Sequence, residues 1–317
     1  MHKSIDVLHV GILCADIPLK IPYETVDFTV DSIKLDEAAI LPGGDAANAS
    51  QVMARLGKNV ALAAKIGDDA FGHMVKNFIK EGGVNTKYIK VDERSRTALS
   101  VVLINSNGDR SFLFYPGSMR DFSVKDIDPD ALQKARHVNF GSFFAHPEMD
   151  KGGAQELFKL AKASGATTSA DVTHDSYGTG FAGIKDSLRY VDYFIPSYAE
   201  GKYLTGETQP ERIADFIIRE TGDKTVVLKM GEEGCFIKSK GQCIRSRPFK
   251  AQVVDTTGAG DNFLAGFLTG LSNGWELEKC ADFANAVAGY SVQYLGATTP
   301  DLSMELIWEF MENTARS

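Results

Sequence analysis

The chain has 317 residues, of which 44% are hydrophobic and 24% are charged, a composition typical of a soluble globular protein. Its net charge of −8 argues against nucleic acid or an anionic membrane as the main partner. The first twenty residues lack the apolar run of a signal peptide, no apolar stretch reaches about 18 residues, and the four cysteines lack metal or redox spacing. We therefore expect a cytoplasmic protein with reduced thiols.

The N-terminal segment predicts strands followed by a helix. The stretch "DVLHVGILCAD" (6–16) is apolar enough for a buried strand. Residues 16–40 follow, and "VDFTVDSIKL" (26–35) mixes polar and β-branched residues in a way that suggests exposed strands. In "GGDAANASQVMARLG" (43–57) a glycine turn opens a helix, and Gly57 ends it.

The remaining elements alternate, with one exception. Residues 60–67 predict a buried strand and 69–83 an amphipathic helix. The exception is "TALSVVLINSNGDRSFLFYPG" (97–117), two β-rich runs joined by Asn-Gly-Asp, which predicts a hairpin. Further strand candidates are "RHVNFGSF", "ATTSADV", "YVDYFIPS" and "KTVVLKMG".

Strand–helix alternation predicts an α/β fold in which helices cover both faces of a mostly parallel central sheet. Two segments, about 16–40 and 97–120, do not fit that core. We expect them to form a small separate β-sheet as two insertions into a single domain that spans 1–317.

A glycine-rich loop in "VVDTTGAGDNFLAGFL" (253–268) predicts an anion site. In an open parallel sheet, ligands bind beyond the carboxyl ends of the strands. The backbone of Gly258, Ala259 and Gly260 precedes a predicted helix whose free N–H groups and dipole can bind an oxyanion without a basic side chain. Asp261, in the first turn, is placed to accept a proton from an attacking hydroxyl, or alternatively to cap the helix.

Four segments resemble the ribokinase-like (PfkB) carbohydrate kinases. "DTTGAGD" (255–261) resembles the C-terminal signature of that family and "GGDAAN" (43–48) its N-terminal glycine signature. "LKMGEEG" (228–234) and "FANAVAGYSVQYLGA" (283–297) match its nucleotide-side segments. The resemblance covers nearly the whole chain and implies a three-layer α/β/α core with a β-sheet lid. It also implies ATP-dependent phosphorylation of a hydroxymethyl group, with Asp261 as catalytic base.

The resemblance assigns residues to the acceptor. Asp16, Gly44 and Asn48 resemble the ligands of substrate hydroxyls, and Gly43 belongs to the same motif. Asp45 is assigned to the substrate side, with a helix cap as the alternative. Carboxylate and amide groups suit this role because each can bridge neighbouring hydroxyls.

The resemblance also implies a nucleotide side and two cation sites. The nucleotide neighbours are Ser197, Lys229, Gly231, Gly234 and Asn285. Where the family commonly has Asn-x-x-Glu, this chain has Ser197 with Glu200. The resemblance implies that Glu200 holds Mg²⁺ through water, and Ser197 departs from the pattern with a shorter side chain that ends in a hydroxyl. Asp255 and Thr257 resemble a monovalent-cation loop for K⁺.

We therefore expect a Mg·ATP-dependent kinase of a small sugar or sugar acid. A nucleoside kinase and a non-catalytic sugar or nucleotide sensor of the same fold are the alternatives. The GxGxxG string at 178–183 does not follow a strand directly, so a nicotinamide-dependent enzyme is disfavoured. Exposed edges of the lid sheet predict pairing into a homodimer.

Overall fold

The structure is a computed structural model that describes residues 3–35, 37–107, 109–299 and 301–317. The strands in this part of the chain are β1 (Ile5–Val10), β2 (Cys14–Lys20), β3 (Glu37–Ala38), β4 (Leu41–Gly43), β5 (Val60–Ala63), β6 (Lys65–Gly67), β7 (Lys90–Asp92), β8 (Leu99–Ile104), β9 (Arg110–Tyr115), β10 (Ala135–Phe143), β11 (Thr167–Val172), β12 (Tyr193–Phe194), β13 (Thr225–Lys229), β14 (Cys235–Ser239) and β15 (Gln242–Ser246).

The helices alternate with these strands. They are α1 (Asp45–Arg55), α2 (Ala70–Glu81), α3 (Pro129–Lys134), α4 (Ala154–Ala163), α5 (Gly180–Leu188), α6 (Tyr198–Thr205), α7 (Pro210–Thr221), α8 (Ala259–Ser272), α9 (Leu277–Ser291) and α10 (Met304–Asn313). Within the described residues, none of these helices has both the length and the hydropathy that crossing a bilayer requires.

The large sheet has the strand order β15-β14-β13-β12-β11-β10-β1-β5. Neighbours from β5 through β13 run parallel, while β14 and β15 complete the sheet as antiparallel strands. The carboxyl ends of the parallel strands therefore share one edge, where ligands bind in open α/β sheets. The predicted α/β fold with a mostly parallel sheet is confirmed.

Two apolar cores lie on opposite faces of this sheet. Because successive side chains of a strand point to opposite faces, Val7 belongs to one core and Leu8 to the other. The core around Val7 is covered by α1, α2, α8, α9 and α10, and the core around Leu8 by α3 to α7. This arrangement gives the three expected layers and places α1 and α8 side by side.

A second, small sheet combines segments from both predicted insertions. Its order is β3-β2-β8-β9, and β4 also pairs with β2. Strands β8 and β9 form the predicted antiparallel hairpin, whose Gly108 lies outside the described residues. The predicted small β-sheet beside the core is thus confirmed.

The prediction of strands over 26–35 was wrong. This stretch forms turns and bends between β2 and β3. The carboxylate of Asp27 accepts hydrogen bonds from the backbone N–H of Thr29 at 2.8 Å and from its hydroxyl at 2.6 Å. Such a local side-chain turn competes with strand pairing, and this is why the β-branched residues there do not extend the sheet.

Candidate active site

Two glycine-rich segments meet beside the start of α1 and α8. The motif at 43–48 leads from β4 into α1, and the motif at 255–261 leads into α8. Asn48 on α1 donates a 2.8 Å hydrogen bond from Nδ2 to Oδ2 of Asp261 on α8. Residues 213 positions apart in sequence are therefore joined at one point.

A side chain at either position of the first motif would displace the groups that now lie there. A Cβ atom on Gly43 would lie 2.1 Å from Oδ2 of Asp16. Gly44 has φ +105°, and a Cβ there would lie 2.4 Å from the carbonyl oxygen of Ile12. The absence of side chains thus lets the Asp16 carboxylate lie directly over the turn that opens α1.

Asp261 lies in an environment that disfavours its charged form. Burial, followed by the nearby Asp45 carboxylate, raises the pKa of Asp261 to about 7. The hydrogen bond from Asn48 and the charge of Lys229 oppose that rise. A carboxylate with a pKa near neutrality is matched to accept a proton at physiological pH.

Asn48 has one polar atom that no described residue satisfies. The residue is 6% exposed, and its Oδ1 is buried without a hydrogen-bond partner among the described residues. A buried acceptor without a donor is costly, and a ligand hydroxyl bonded to this oxygen would remove that cost. Its own Nδ2 is already committed to Asp261.

Asp16 and Asp45 differ in how many hydrogen bonds their carboxylates accept from the rest of the protein. Oδ1 of Asp16 accepts from the thiol of Cys14 at 3.3 Å, and burial raises the pKa of Asp16. The Asp45 carboxylate lies 2.7 Å from the hydroxyl of Ser142 and accepts from the N–H groups of Ala46 and Ile12. The Asp45 contacts tie the start of α1 to the large sheet.

The loop before α8 is held by the side chain of Asp255. Its Oδ1 accepts from the N–H and the hydroxyl of Thr257 at 2.9 and 2.7 Å, and its Oδ2 from the N–H of Gly296 at 2.9 Å. Arg110, from β9 of the small sheet, donates to Oδ1 at 2.5 Å and also contacts Thr257. Burial alone would raise the pKa of Asp255, but these partners lower it to about 2.

Gly258 lets this loop turn into α8. It is the N-cap of α8 with φ 72°, and a Cβ on it would lie 2.6 Å from the carbonyl oxygen of Ala297. The N–H of Ala259 donates to the carbonyl of Thr256 at 3.2 Å. The N–H groups of Gly260 and Asp261 lie in the first helical turn, where intrahelical acceptors are lacking.

Ser197 and Glu200 form a capping box at the start of α6. Ser197 Oγ accepts from the N–H of Glu200 at 3.2 Å, and Oε2 of Glu200 accepts from the N–H of Ser197 at 2.6 Å. Ser197 therefore supplies the cap of α6 at the position where the resemblance implies asparagine. The Glu200 charge also acts on the pKa of Asp261 and Lys229.

Of the other predicted nucleotide residues, Gly231 and Gly234 follow β13, and Asn285 belongs to α9. Gly231 has φ 58° with open space where its Cβ would be, whereas a Cβ on Gly234 would lie 2.1 Å from the carbonyl oxygen of Ser246. Asn285 is 5% exposed, and its Nδ2 donates to the carbonyl and hydroxyl of Ser246 at 3.1 and 2.8 Å. Its amide nitrogen thus ties α9 to the end of β15.

Asp171 is a site-facing residue that sequence reasoning missed. It lies near the end of β11, is 6% exposed and forms a close ion pair with Lys229 at the end of β13. A Cβ on Gly260 would lie 3.6 Å from Nζ of that lysine. A single aspartate in "SADV" belongs to no motif, and only the position at a strand end marked it in the sequence.

The chain is similar in sequence to carbohydrate kinases over most of its length. A sequence model described as pfkB family carbohydrate kinase matches residues 5–304. The probable fructokinase-5 of Arabidopsis thaliana is 30% identical over 81% of this chain and 83% of its own length. Fructokinase-2 of Solanum lycopersicum is 30% identical over 77% and 78% of the two chains.

Solved structures show the same fold. Arabidopsis thaliana ribokinase complexed with ribose and ATP has a TM-score of 0.85 and 25% identity, over 98% of this chain and 99% of that one. A putative ribokinase II from E. coli in complex with ATP and Mg²⁺ has a TM-score of 0.83 and 22% identity, over 97% and 99% of the two chains. The ribokinase-like core predicted from the sequence is confirmed.

Proposed function

The chain belongs to the pfkB family of carbohydrate kinases, and we propose that it transfers the γ-phosphoryl group of ATP to a primary hydroxyl of a small sugar or sugar acid, with Asp261 as the base. The observation that carries this proposal is the hydrogen bond between Asn48 and Asp261. It joins the acceptor-side motif to the loop proposed for the phosphate. We also infer that residues 1–317 act as a single kinase domain, with the small sheet as its lid.

Asp261 takes the proton of the acceptor hydroxyl in this proposal. Its pKa of about 7 suits that task, because a base with a pKa near the operating pH is both deprotonated and able to accept a proton. The bond from Asn48 fixes Oδ2, so the remaining oxygen is available to the hydroxyl. Phosphoryl transfer depends mainly on positioning and charge stabilisation, and a single oriented carboxylate is sufficient.

The backbone of 258–260 is proposed as the anion hole for the transferred phosphate. The left-handed conformation of Gly258 directs the chain into α8, whose N-terminal N–H groups and dipole favour negative charge. Because the N–H of Ala259 donates to Thr256, we expect the N–H groups of Gly260 and Asp261 to be the strongest donors to the phosphate.

The acceptor lies between β2 and α1 in this proposal. Asp16 and the free Oδ1 of Asn48 bind its hydroxyls, and Gly43 and Gly44 let it approach the backbone. Asp45 is proposed to act chiefly by ordering the turn at Gly44, since its carboxylate is engaged by Ser142 and two backbone N–H groups. A ligand hydroxyl bonded to Asn48 Oδ1 would supply the partner that this atom lacks among the described residues.

The nucleotide is proposed to lie along the ends of β12 and β13, where Ser197, Lys229, Gly231 and Gly234 are found, with Asn285 in the middle of α9. Within the described residues, no three His, Cys, Asp or Glu side chains converge as a metal site. Mg²⁺ retains several waters and binds the phosphates of its nucleotide. We propose that Glu200, anchored by the N–H of Ser197, holds one of those waters.

K⁺ binding by Asp255 and Thr257 is a further proposal. The Arg110 guanidinium contacts both side chains in this structure. A cation can therefore replace it only if Arg110 withdraws with the small sheet. Assays of turnover with and without K⁺ test this point.

A homodimer through the small sheet is proposed from the composition of β9. Four consecutive residues of this edge strand are large, apolar and between 47% and 63% exposed: Phe112, Leu113, Phe114 and Tyr115. Exposed apolar edge strands favour pairing with another chain. Sedimentation of the wild type and of Leu113→Lys would test it, with dissociation expected for the variant.

A cytoplasmic location stays a prediction.

A nucleoside acceptor is the second candidate, and the position of one aromatic residue in the small sheet favours it. The side chain of Phe114 lies on the same face of the small sheet as Asp16, because Ser100 pairs with both residues. Phe114 is 49% exposed, so an aromatic base has room to stack on it.

The proposed function is tested by an ADP-release assay over sugars, sugar acids and nucleosides, with Mg²⁺, and with and without K⁺. Turnover of a sugar or sugar acid supports the proposal, and preference for a nucleoside supports the second candidate. Tight sugar binding without phosphoryl transfer would contradict both and indicate a sensor. Asp130→Asn, on α3 away from the proposed site, is a matched control for variants of the site aspartates.

A further inference from the structure

The ion pair of Asp171 and Lys229 crosses the end of a strand. Asp171 is near the end of β11 and Lys229 ends β13, and β12 lies between them in the sheet. The backbone N–H of Lys229 donates to the carbonyl of Pro196, just beyond β12, at 3.0 Å. The lysine side chain is therefore anchored at its base by one strand end and at its tip by another.

Both groups of this pair are largely removed from solvent. The side chains of Lys229 and Asp171 are 13% and 9% exposed. Burial raises the pKa of Asp171, and the charge of Lys229 opposes that rise. Burial alone would lower the pKa of Lys229, but Asp171, Glu200 and Asp261 raise it. Each charge therefore depends on the other, because a buried charge without its partner is strongly disfavoured.

The tip of Lys229 lies at the loop proposed for the phosphate. A Cβ on Gly260 would lie 3.6 Å from Nζ and 4.0 Å from Cε of the lysine. An ammonium group has three N–H donors, and the ion pair with Asp171 occupies only one direction. Oδ1 of Asp171 accepts from the N–H of Val172 at 2.8 Å, which fixes the plane of the carboxylate. The ammonium is thereby held over Gly260 rather than free to swing.

We propose that Asp171 is a positioning residue that holds the Lys229 ammonium over Gly260, where the ammonium contacts the terminal phosphate of a nucleoside triphosphate. This inference rests on the proposed function. It assigns the lysine to the terminal phosphate rather than to the base or the ribose, and it gives Asp171 a role through Lys229 rather than direct contact with substrate.

The test compares two nucleotides by calorimetry with Mg²⁺ present. AMP-PNP has a terminal phosphate, whereas AMP ends at the first one. For Asp171→Asn and Lys229→Met we expect AMP-PNP to bind about tenfold more weakly and AMP to bind within about twofold of the wild type, in line with the loss of one charge-assisted contact. If Asp171 had a purely structural role, its substitution would weaken the binding of both nucleotides or of neither.

The double variant decides whether Asp171 acts through the lysine. With both substitutions present, we expect AMP-PNP affinity to match that of Lys229→Met alone, since a positioning residue has nothing left to position. If the double variant instead lost AMP-PNP affinity by the product of the two single-variant losses, the proposal would be overturned. The matched control is the remote pair of Lys185 and Glu220, joined at 2.7 Å between α5 and α7. Its variant Glu220→Gln should bind both nucleotides like the wild type.

Two further variants keep the test decisive if Asp171→Asn does not fold. Asp171→Glu preserves the ion pair, but its side chain is longer by one methylene group and therefore displaces the ammonium. The affinity for AMP-PNP should fall at least threefold, while the affinity for AMP should not change. Unchanged AMP-PNP affinity in Asp171→Glu would overturn the proposal. Lys229→Arg keeps the charge and should retain more AMP-PNP affinity than Lys229→Met.

The outcome is separable from the proposed function. If the wild type phosphorylates a sugar but the variants bind AMP-PNP normally, the positioning role is wrong and the proposed function stands. If the wild type binds AMP-PNP, the variants behave as expected and no sugar is phosphorylated, the proposed function is wrong and the positioning role stands. A wild type that binds no AMP-PNP contradicts both.

Discussion

The amide of Asn48 donates to Oδ2 of Asp261 at 2.8 Å, across the contact between α1 and α8. Both side chains lie near the starts of their helices, and each helix has a glycine as its N-cap. The two glycine-rich segments therefore meet at one place, where we propose that α1 supplies a ligand for the acceptor and α8 supplies the base. The oxygen of the Asn48 amide has no hydrogen-bond partner among the described residues.

Asn48→Ala should raise the pKa of Asp261 and weaken binding of the acceptor. The Asn48 hydrogen bond stabilises the ionised carboxylate, so its removal favours the protonated form. We expect the acid limb of the kcat/KM profile, near pH 7 in the wild type, to move to higher pH, and the plateau to fall about 10²-fold. Ser50→Ala, on the same helix but bonded to the carbonyl of Ala47, is the control. An unmoved acid limb would contradict the coupling.

Gly258→Ala should abolish most turnover, whereas Gly274→Ala should not. Both residues have φ close to 70°, so each substitution costs about 1 kcal/mol of backbone strain. Only at Gly258 would the new Cβ also meet the carbonyl of Ala297, while Gly274 has open space. Thermal unfolding and kcat/KM measured on both variants separate strain from displacement of the anion hole. Equal activities of the two variants would count against the anion hole.

Arg110→Met should loosen the loop before α8. The guanidinium is one of the partners that lower the pKa of Asp255 to about 2, and it links the small sheet to that loop. We expect turnover to fall about tenfold and added K⁺ to restore part of it, because a cation can then bind Asp255 and Thr257. Arg120→Met, at an exposed position of the same insertion, is the control. A variant with wild-type turnover and no K⁺ response would refute the link.

Buried histidines should make stability depend on pH. Burial lowers the pKa of His137 to about 4, and its ring bonds to Thr167 and Ser169 at 2.7 Å. An unfolded histidine has a pKa near 6.5, so the unfolded state binds the proton first as pH falls. The stability from neutral His137 is complete above about pH 6.5 and declines towards pH 4.

The measurement compares urea unfolding of the wild type and His137→Gln at pH 7.5 and 5.5. Raised carboxylate pKa values act in the opposite direction, but they are common to both proteins and cancel in the difference. We expect the wild type to lose about 1.4 kcal/mol more than the variant over this range. Parallel pH dependences in the two proteins would show that His137 is not the titrating group.

The features that the sequence predicted correctly are those that depend on short segments of the chain. Glycine turns and helical spacing are properties of short segments, so the starts of α1 and α8 and the βα alternation were predictable. The failure at 26–35 is also local, because Asp27 bonds to Thr29 and the β-branched residues alone did not reveal this.

Contacts between distant segments were not predictable in the same way. Arg110 and Asp255 are 145 positions apart, and Asp171 and Lys229 are 58 apart across an intervening strand. Their meeting depends on strand order and on how the small sheet packs, which no local pattern specifies. The sequence therefore identified Asp255 and Lys229 as site candidates, but not the residues that hold them.

Single-turnover phosphoryl transfer by Asp261→Asn tests the central claim most directly, with an acceptor confirmed for the wild type. Asparagine preserves the shape of the side chain and cannot accept the proton, so we predict a fall of about 10²- to 10⁴-fold in the transfer rate, with AMP-PNP and acceptor affinities within about threefold of the wild type. A variant that retains more than about a tenth of the wild-type rate would contradict the assignment of Asp261 as the base.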